Sequence, residues 1–216
     1  MIKTQRVVSM LLLLSIALVI YLFLNNSYLL RIDGAVGVWS AVADQGAWIV
    51  PNFVRWFLMV VPIAISAIQY TSEIANKRLK LTLHLPHSET KIVVAMQLFG
   101  LVVTVLLYLI VLLPTWVGML FYYPMEMVNA MLFTLLPYIL AGVASYFFVA
   151  WVIVEPIWIR RVAHAAISIG ALSIFTLESS SLCRYRYAIA QLIVLVVASW
   201  IAALYSAARF KDGAQQ

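Results

Sequence analysis

Apolar residues in this chain come in long continuous runs separated by short polar or charged stretches. The runs cover residues 7–24, 53–71, 92–113, 128–154, 162–177 and 187–208. A helix needs about 20 apolar residues, each rising 1.5 Å, to cross a hydrocarbon core of about 30 Å. Five runs meet or approach that length, and 162–177 sits at its lower limit. The pattern predicts an all-α fold: a polytopic bundle of six transmembrane helices forming a single membrane domain over residues 1–216. A transmembrane barrel would show shorter segments with apolar and polar residues alternating.

Composition supports that solvent assignment. Hydrophobic residues make up 65% of the 216 positions and charged residues 10%, with a mean hydropathy of +1.04. Soluble domains carry about 25% charged residues because their surfaces must be solvated by water. Here most apolar surface needs lipid, where every backbone polar group must be satisfied within helices. The first run follows Lys3 and Arg6 as a signal peptide would. It exceeds the usual core of about 7–15 residues, however, and no small-x-small site follows at Asn25, Asn26 and Ser27, so it reads as an uncleaved helix.

The connecting segments set the expected orientation. Residues 25–52, with Arg31, Asp33, Asp44 and three glycines, are too polar to span, and Val36, Trp39 and Trp48 suit a segment lying on the membrane surface. Pro114 is expected to stop the third span, and the aromatic stretch 116–127 to turn the chain back. With the N-terminus inside, the cytoplasmic side receives Lys3, Arg6, Lys77, Arg78, Lys80, Lys91, Arg160, Arg161, Arg209 and Lys211, and the other side Arg31, Arg55, Arg184 and Arg186. Ten cations against four obey the positive-inside rule and place both termini in the cytoplasm of a cell whose inner, or plasma, membrane holds the chain. The net charge of +6 is explained by that asymmetry, and no soluble basic face is present to bind nucleic acid.

Candidate chemistry is sparse. Cys183 is the only cysteine, so no intrachain disulfide forms. His84 and His87 flank Pro86 without a third ligand, and no metal site is expected. His164 reads as a helix-end residue. Arg55 is expected to snorkel from the outer end of its helix to water. Near absence of acids at depth argues against a proton-driven pump and suits an apolar or amphipathic substrate. Ser179–Ser181 lack the surroundings of a hydrolase nucleophile. Pro62 and Pro137 are expected to bend their helices. Small residues at helical spacing, Ala198–Ala202–Ser206 and Ser199–Ala203–Ala207, mark close helix packing, within the chain or between copies.

The most informative stretch is 69–97, QYTSEIANKRLKLTLHLPHSETKIVVAMQ. It places an acid, Glu73, at the end of the second span, then a basic and leucine-rich core, then Pro86 and a new helix that Ser88 is placed to cap. The period-two leucines 79, 81, 83 and 85 suit a strand, but a lone strand at a membrane surface leaves its backbone unpaired, so a short amphipathic helix is preferred. Glu73 stands four residues before Lys77, a favourable ion-pair spacing. Lys77, Arg78 and Lys80 can hold the loop against anionic lipid or meet a soluble partner.

This stretch resembles the first cytoplasmic loop of ABC-2-type transporter permeases, in which an acid ending the second span precedes a coupling helix of the form E-x-x-x-G-T-L-x-x-L-L-x-x-P. Glu73, Leu79, Leu83 and Pro86 match; Asn76–Lys77–Arg78 stands where Gly-Thr is usual, and Gln97 near a frequent lysine. The family's interface helix before the first span has only six residues available here, and its hairpin before the sixth has only 178–186. The resemblance implies the transmembrane subunit of an ATP-driven exporter, paired with a second permease copy or relative and with separate ATP-binding subunits. Those subunits would carry ATP and Mg; this chain would bind no cofactor. Coupling residues would be Glu73, Lys77, Arg78, Lys80, Leu83 and Pro86 in the loop 73–91, and Glu155, Arg160 and Arg161 in the link between the fourth and fifth spans. The chain has no G-x-x-x-x-G-K-[ST], so it is not expected to hydrolyse ATP or to be an enzyme. The alternative is a six-span scaffold or assembly protein without a transport pathway.

Overall fold

A computed structural model describes residues 2–45, 52–75, 89–176 and 187–211. These form seven helices, numbered here in chain order: α1 (Ile2–Ile32), α2 (Gly34–Gln45), α3 (Asn52–Ala75), α4 (Glu89–Met119), α5 (Met125–Val154), α6 (Trp158–Phe175) and α7 (Ile189–Lys211). No strand occurs among the described residues. Five helices are long and apolar enough to cross a membrane: α1, α3, α4, α5 and α7. The expected crossing at 162–177 corresponds to α6, whose first turn carries Arg160 and Arg161 and which is not among those five.

Two helices run further than their polar and proline signals predict. The sequence ends the first span at Leu24, yet α1 continues to Ile32. Asn26 does not break it because the side chain turns inward and accepts a 3.4 Å hydrogen bond from the Tyr123 hydroxyl. Burial raises the pKa of that hydroxyl, keeping it a donor. Gly34, at φ 67°, then lets the chain turn directly into α2, so 34–45 is helical. Likewise α4 passes through Pro114 to Met119. Proline removes one backbone donor, a defect that packed membrane helices tolerate. Pro124 then precedes α5, whose first-turn amides of Met127 and Val128 bond back to the Pro124 carbonyl.

The bundle is organised around α5, which packs against α3, α6 and α7, while α4 bridges α1, α3, α5 and α7. One buried apolar cluster joins Leu22, Leu58, Val111, Leu135, Ala141 and Phe175. A second joins Val61, Leu107, Tyr146, Ala150, Val154 and Ala203. Of the two small-residue stripes on α7, Ser199–Ala203–Ala207 is buried throughout and packs within the chain, whereas in the adjacent one Ser206 is buried, Ala202 half-buried and Ala198 exposed.

Close approach of α3, α4 and α5 depends on two glycines. A Cβ at Gly142 would overlap the Tyr108 hydroxyl and the Leu58 carbonyl, and one at Gly100 would overlap the Tyr146 hydroxyl and Gln69 Oε1. Many large apolar side chains on the outer faces, including Leu13, Phe99, Ile169 and Val194, are exposed. In water such a surface is an aggregation hazard, whereas in a bilayer it is the solvated face. The chain is therefore built as a multi-pass helical membrane protein.

Candidate functional site

Pro156 creates the site's geometry. A residue preceding proline is driven out of the helical region, and Glu155 accordingly adopts φ −61°, ψ 123°, ending α5 at Val154. Its backbone breaks from the helix while its carboxylate is buried, with 0% of the residue exposed. An unpaired buried carboxylate costs several kcal/mol, and partners arrive from two other helices. Ser206 on α7 donates a 2.7 Å hydrogen bond to Oε2. Arg209, one turn further along α7, places Nη1 3.4 Å from Oε1. His164 on α6 brings Nδ1 to 3.8 Å from Oε2, with its ring stacked on Trp151 of α5 at 4.0 Å between centroids and 18° between planes.

The carbonyls left over at the end of α5 are also answered. Arg161 donates to the Glu155 carbonyl from Nη2 at 2.7 Å and from Nε at 3.3 Å, and to the Ile153 carbonyl at 3.4 Å. This satisfies groups that a helix C-terminus leaves without intrahelical donors. The Arg161 guanidinium also lies 5.8 Å from the Trp158 ring centroid. Arg160, beside it, is exposed, as are Trp158 and Ile159.

A neutral polar network lies deeper at the same end of the bundle. Tyr146 on α5 donates to Gln69 Oε1 on α3 at 2.9 Å, and Gln69 Nε2 donates to the Met96 carbonyl on α4 at 2.8 Å. The Ser66 hydroxyl donates to the Tyr146 carbonyl at 2.8 Å. Trp200 Nε1 on α7 donates to Gln97 Oε1 on α4 at 2.9 Å. Four helices are thus tied by uncharged groups that hydrocarbon cannot satisfy. Along with the contacts of Glu155 and Arg161, these bring the ends of α3, α5 and α7 together with the starts of α4 and α6.

The sequence-predicted coupling residues divide by position. Lys77, Arg78, Lys80, Leu83 and Pro86 lie outside the described residues, as do His84, His87 and Ser88. Glu73 is half-buried on the last turns of α3, and Arg160 is exposed on α6. Glu155 and Arg161 are engaged within the chain, Glu155 by its side chain and Arg161 through backbone carbonyls. For Glu155 this differs from a surface position in a charged link: the carboxylate faces α6 and α7. Sequence reasoning missed Ser206 and Arg209 as its partners, because only folding brings α7 to the end of α5.

Arg55 is a correction. It does not snorkel but is buried, at 7% exposure, with Nη1 3.4 Å from the Tyr138 hydroxyl and the guanidinium 5.6 Å from that ring's centroid. Packing of α3 on α5 encloses it beside Tyr138. Beside this end, α1 and α3 leave an apolar groove of about 440 Å³ lined by Leu14, Leu18, Tyr21, Phe53, Trp56 and Val60, among others. Tyr21 and Phe53 close its rim edge to face, 5.1 Å between centroids. Among the described residues no three His, Cys, Asp or Glu side chains gather to hold a metal ion. No family model, curated protein or solved structure matches the chain.

Proposed function

We propose that this chain is the membrane-spanning subunit of an ATP-driven ABC-2-type exporter, working as a pair with separate ATP-binding subunits. In this reading α6 is the additional, short crossing, both termini face the cytoplasm, and the membrane is the cell's inner, or plasma, membrane. One observation carries the reading: the α3–α4 and α5–α6 connections leave the same end of the bundle. Contacts of Gln69 with Met96, of Tyr146 with Gln69, and of Ser206 with Glu155 bring those helix ends together. A soluble partner docking there meets Glu73 and Arg160, and the cations that the sequence assigns to that end match the positive-inside rule.

Substrate chemistry follows from what lines the membrane part. The network around Gln69 and Tyr146 is uncharged, the buried charges Arg55 and Glu155 are engaged within the chain, and the groove between α1 and α3 is apolar and rimmed by Tyr21, Phe53 and Trp56. These features favour an apolar or amphipathic molecule entering from the lipid over an ion or a proton.

The test is affinity capture of the chain from its native membrane, with identification of the bound chains. The expected result is an ATP-binding protein with a phosphate-binding loop, lost when Glu73→Lys and Lys77→Glu are combined. Capture only of chains without nucleotide-binding motifs favours the scaffold reading and overturns this one.

A further inference from the structure

We propose that Glu155 is a positioning residue whose buried carboxylate clasps the last turns of α7 and the first turns of α6 to the end of α5. The three helix ends then move as one body, and the exposed face of Trp158, Ile159 and Arg160 is carried on it.

Three observations support the clasp. Pro156 holds the Glu155 backbone extended, yet the side chain is fully enclosed rather than directed to water. The carboxylate takes its hydrogen bond and counter-charge from Ser206 and Arg209 on α7, and on the α6 side His164 Nδ1 approaches to 3.8 Å while Arg161 holds the Glu155 carbonyl. Finally, α6 packs on α5 and has no comparable packing against α7. Both pack on α5, so apolar contact fixes them only through that shared helix. At this end the direct link between α6 and α7 is one carboxylate, backed by the Arg161 bonds to the Glu155 carbonyl and the His164–Trp151 stack.

The consequence is mechanical. A push on Ile159 or Arg160 reaches α5 through the Arg161 cap and reaches α7 through Glu155. Without the charge, α6 and α7 respond separately. What delivers the push rests on the function proposed above; the existence of the clasp does not.

The test therefore uses the chain alone, in nanodiscs of phosphatidylcholine and phosphatidylglycerol, in a Cys183→Ser background. Spin labels at Ile159→Cys and Ala208→Cys report the clasp, and labels at Ala75→Cys and Lys91→Cys report the α3–α4 end as a reference. Glu155→Gln should lengthen and broaden the 159–208 distance distribution while the 75–91 distribution stays put. Glu155→Asp, which keeps the charge, should restore most of the parent distribution. An unchanged 159–208 distribution in Glu155→Gln overturns the proposal, as does equal broadening of both pairs. If Glu155→Gln does not fold, Arg209→Gln, altering the partly exposed partner, is judged by the same two distributions. Failure to capture an ATP-binding subunit would leave these distances untouched and count only against the transporter reading.

Discussion

Ser206 on α7 donates a 2.7 Å hydrogen bond to the carboxylate of Glu155, 51 residues earlier in the chain, at the point where α5 ends. The bond joins a proline-terminated helix to the closing turns of the last helix, and it does so beneath any solvent. Arg209 supplies the counter-charge from the next turn, and it is this pairing that makes a buried carboxylate tolerable. This end of the bundle is thus held by a few polar contacts, while the rest of α7 is held by small residues packed on α5.

These contacts differ in weight. Removing a counter-ion leaves the buried Glu155 charge uncompensated, a loss of about 3–5 kcal/mol. Removing one hydrogen bond to a charged group loses about 1.5–3 kcal/mol. Arg209→Ala is therefore expected to lower the unfolding midpoint in nanodiscs more than Ser206→Ala does. A Ser206→Ala loss equal to or larger than that of Arg209→Ala contradicts the assignment of Arg209 as the main counter-charge.

Two glycines should respond oppositely to the same substitution. At Gly142 a methyl group meets the Tyr108 hydroxyl and the Leu58 backbone, so Gly142→Ala forces α3 and α4 away from α5, at a cost of about 1–3 kcal/mol. At Gly170 nothing lies within 4 Å of the new atom, and alanine's helix preference, about 1 kcal/mol, makes Gly170→Ala neutral or stabilising. Thermal unfolding of the two variants in the same detergent checks the contrast.

The uncharged network should behave as interhelical fastening. Tyr146→Phe deprives Gln69 Oε1 of its donor while preserving the ring's packing against Phe147, whose centroid lies 5.4 Å away. The expected loss is about 1 kcal/mol, typical of hydrogen bonds between membrane helices. Combining Tyr146→Phe with Gln69→Leu should lose less than the two single changes added, since both remove the same bond. Full additivity in equilibrium unfolding would show that the bond contributes nothing.

Much of this architecture was legible in the run lengths. Helical class and five helices long and apolar enough to cross a membrane follow from apolar stretches that no soluble domain could hide, while the sixth expected crossing, 162–177, is not among them. The misread positions share one physical cause: partners distant in sequence. Asn26 looked like a helix end but is taken up by Tyr123, Pro114 looked like a stop but is carried through by packing, and Arg55 looked like a rim cation but is enclosed beside Tyr138. Glu155 was legible as a residue of the α5–α6 link, and the following proline explains its backbone. Its burial was not legible, because nothing near it in sequence announces Ser206 or Arg209. The loop 76–88, which carries most of the resemblance to ABC-2 permeases, lies outside the described residues, so the site rests on the helix ends around it.

The docking role proposed for the end that carries Glu155 requires that it face the cytoplasm and that α6 cross the bilayer. The sequence offers its own reporter, since Cys183 is the only cysteine and falls between α6 and α7. In intact cells a membrane-impermeant maleimide should label native Cys183, whereas a Cys183→Ser chain carrying Ile159→Cys should react only after the membrane is opened. Labelling of Ile159→Cys from outside, with Cys183 protected until permeabilisation, would invert the bundle and remove the docking face from the compartment that holds ATP.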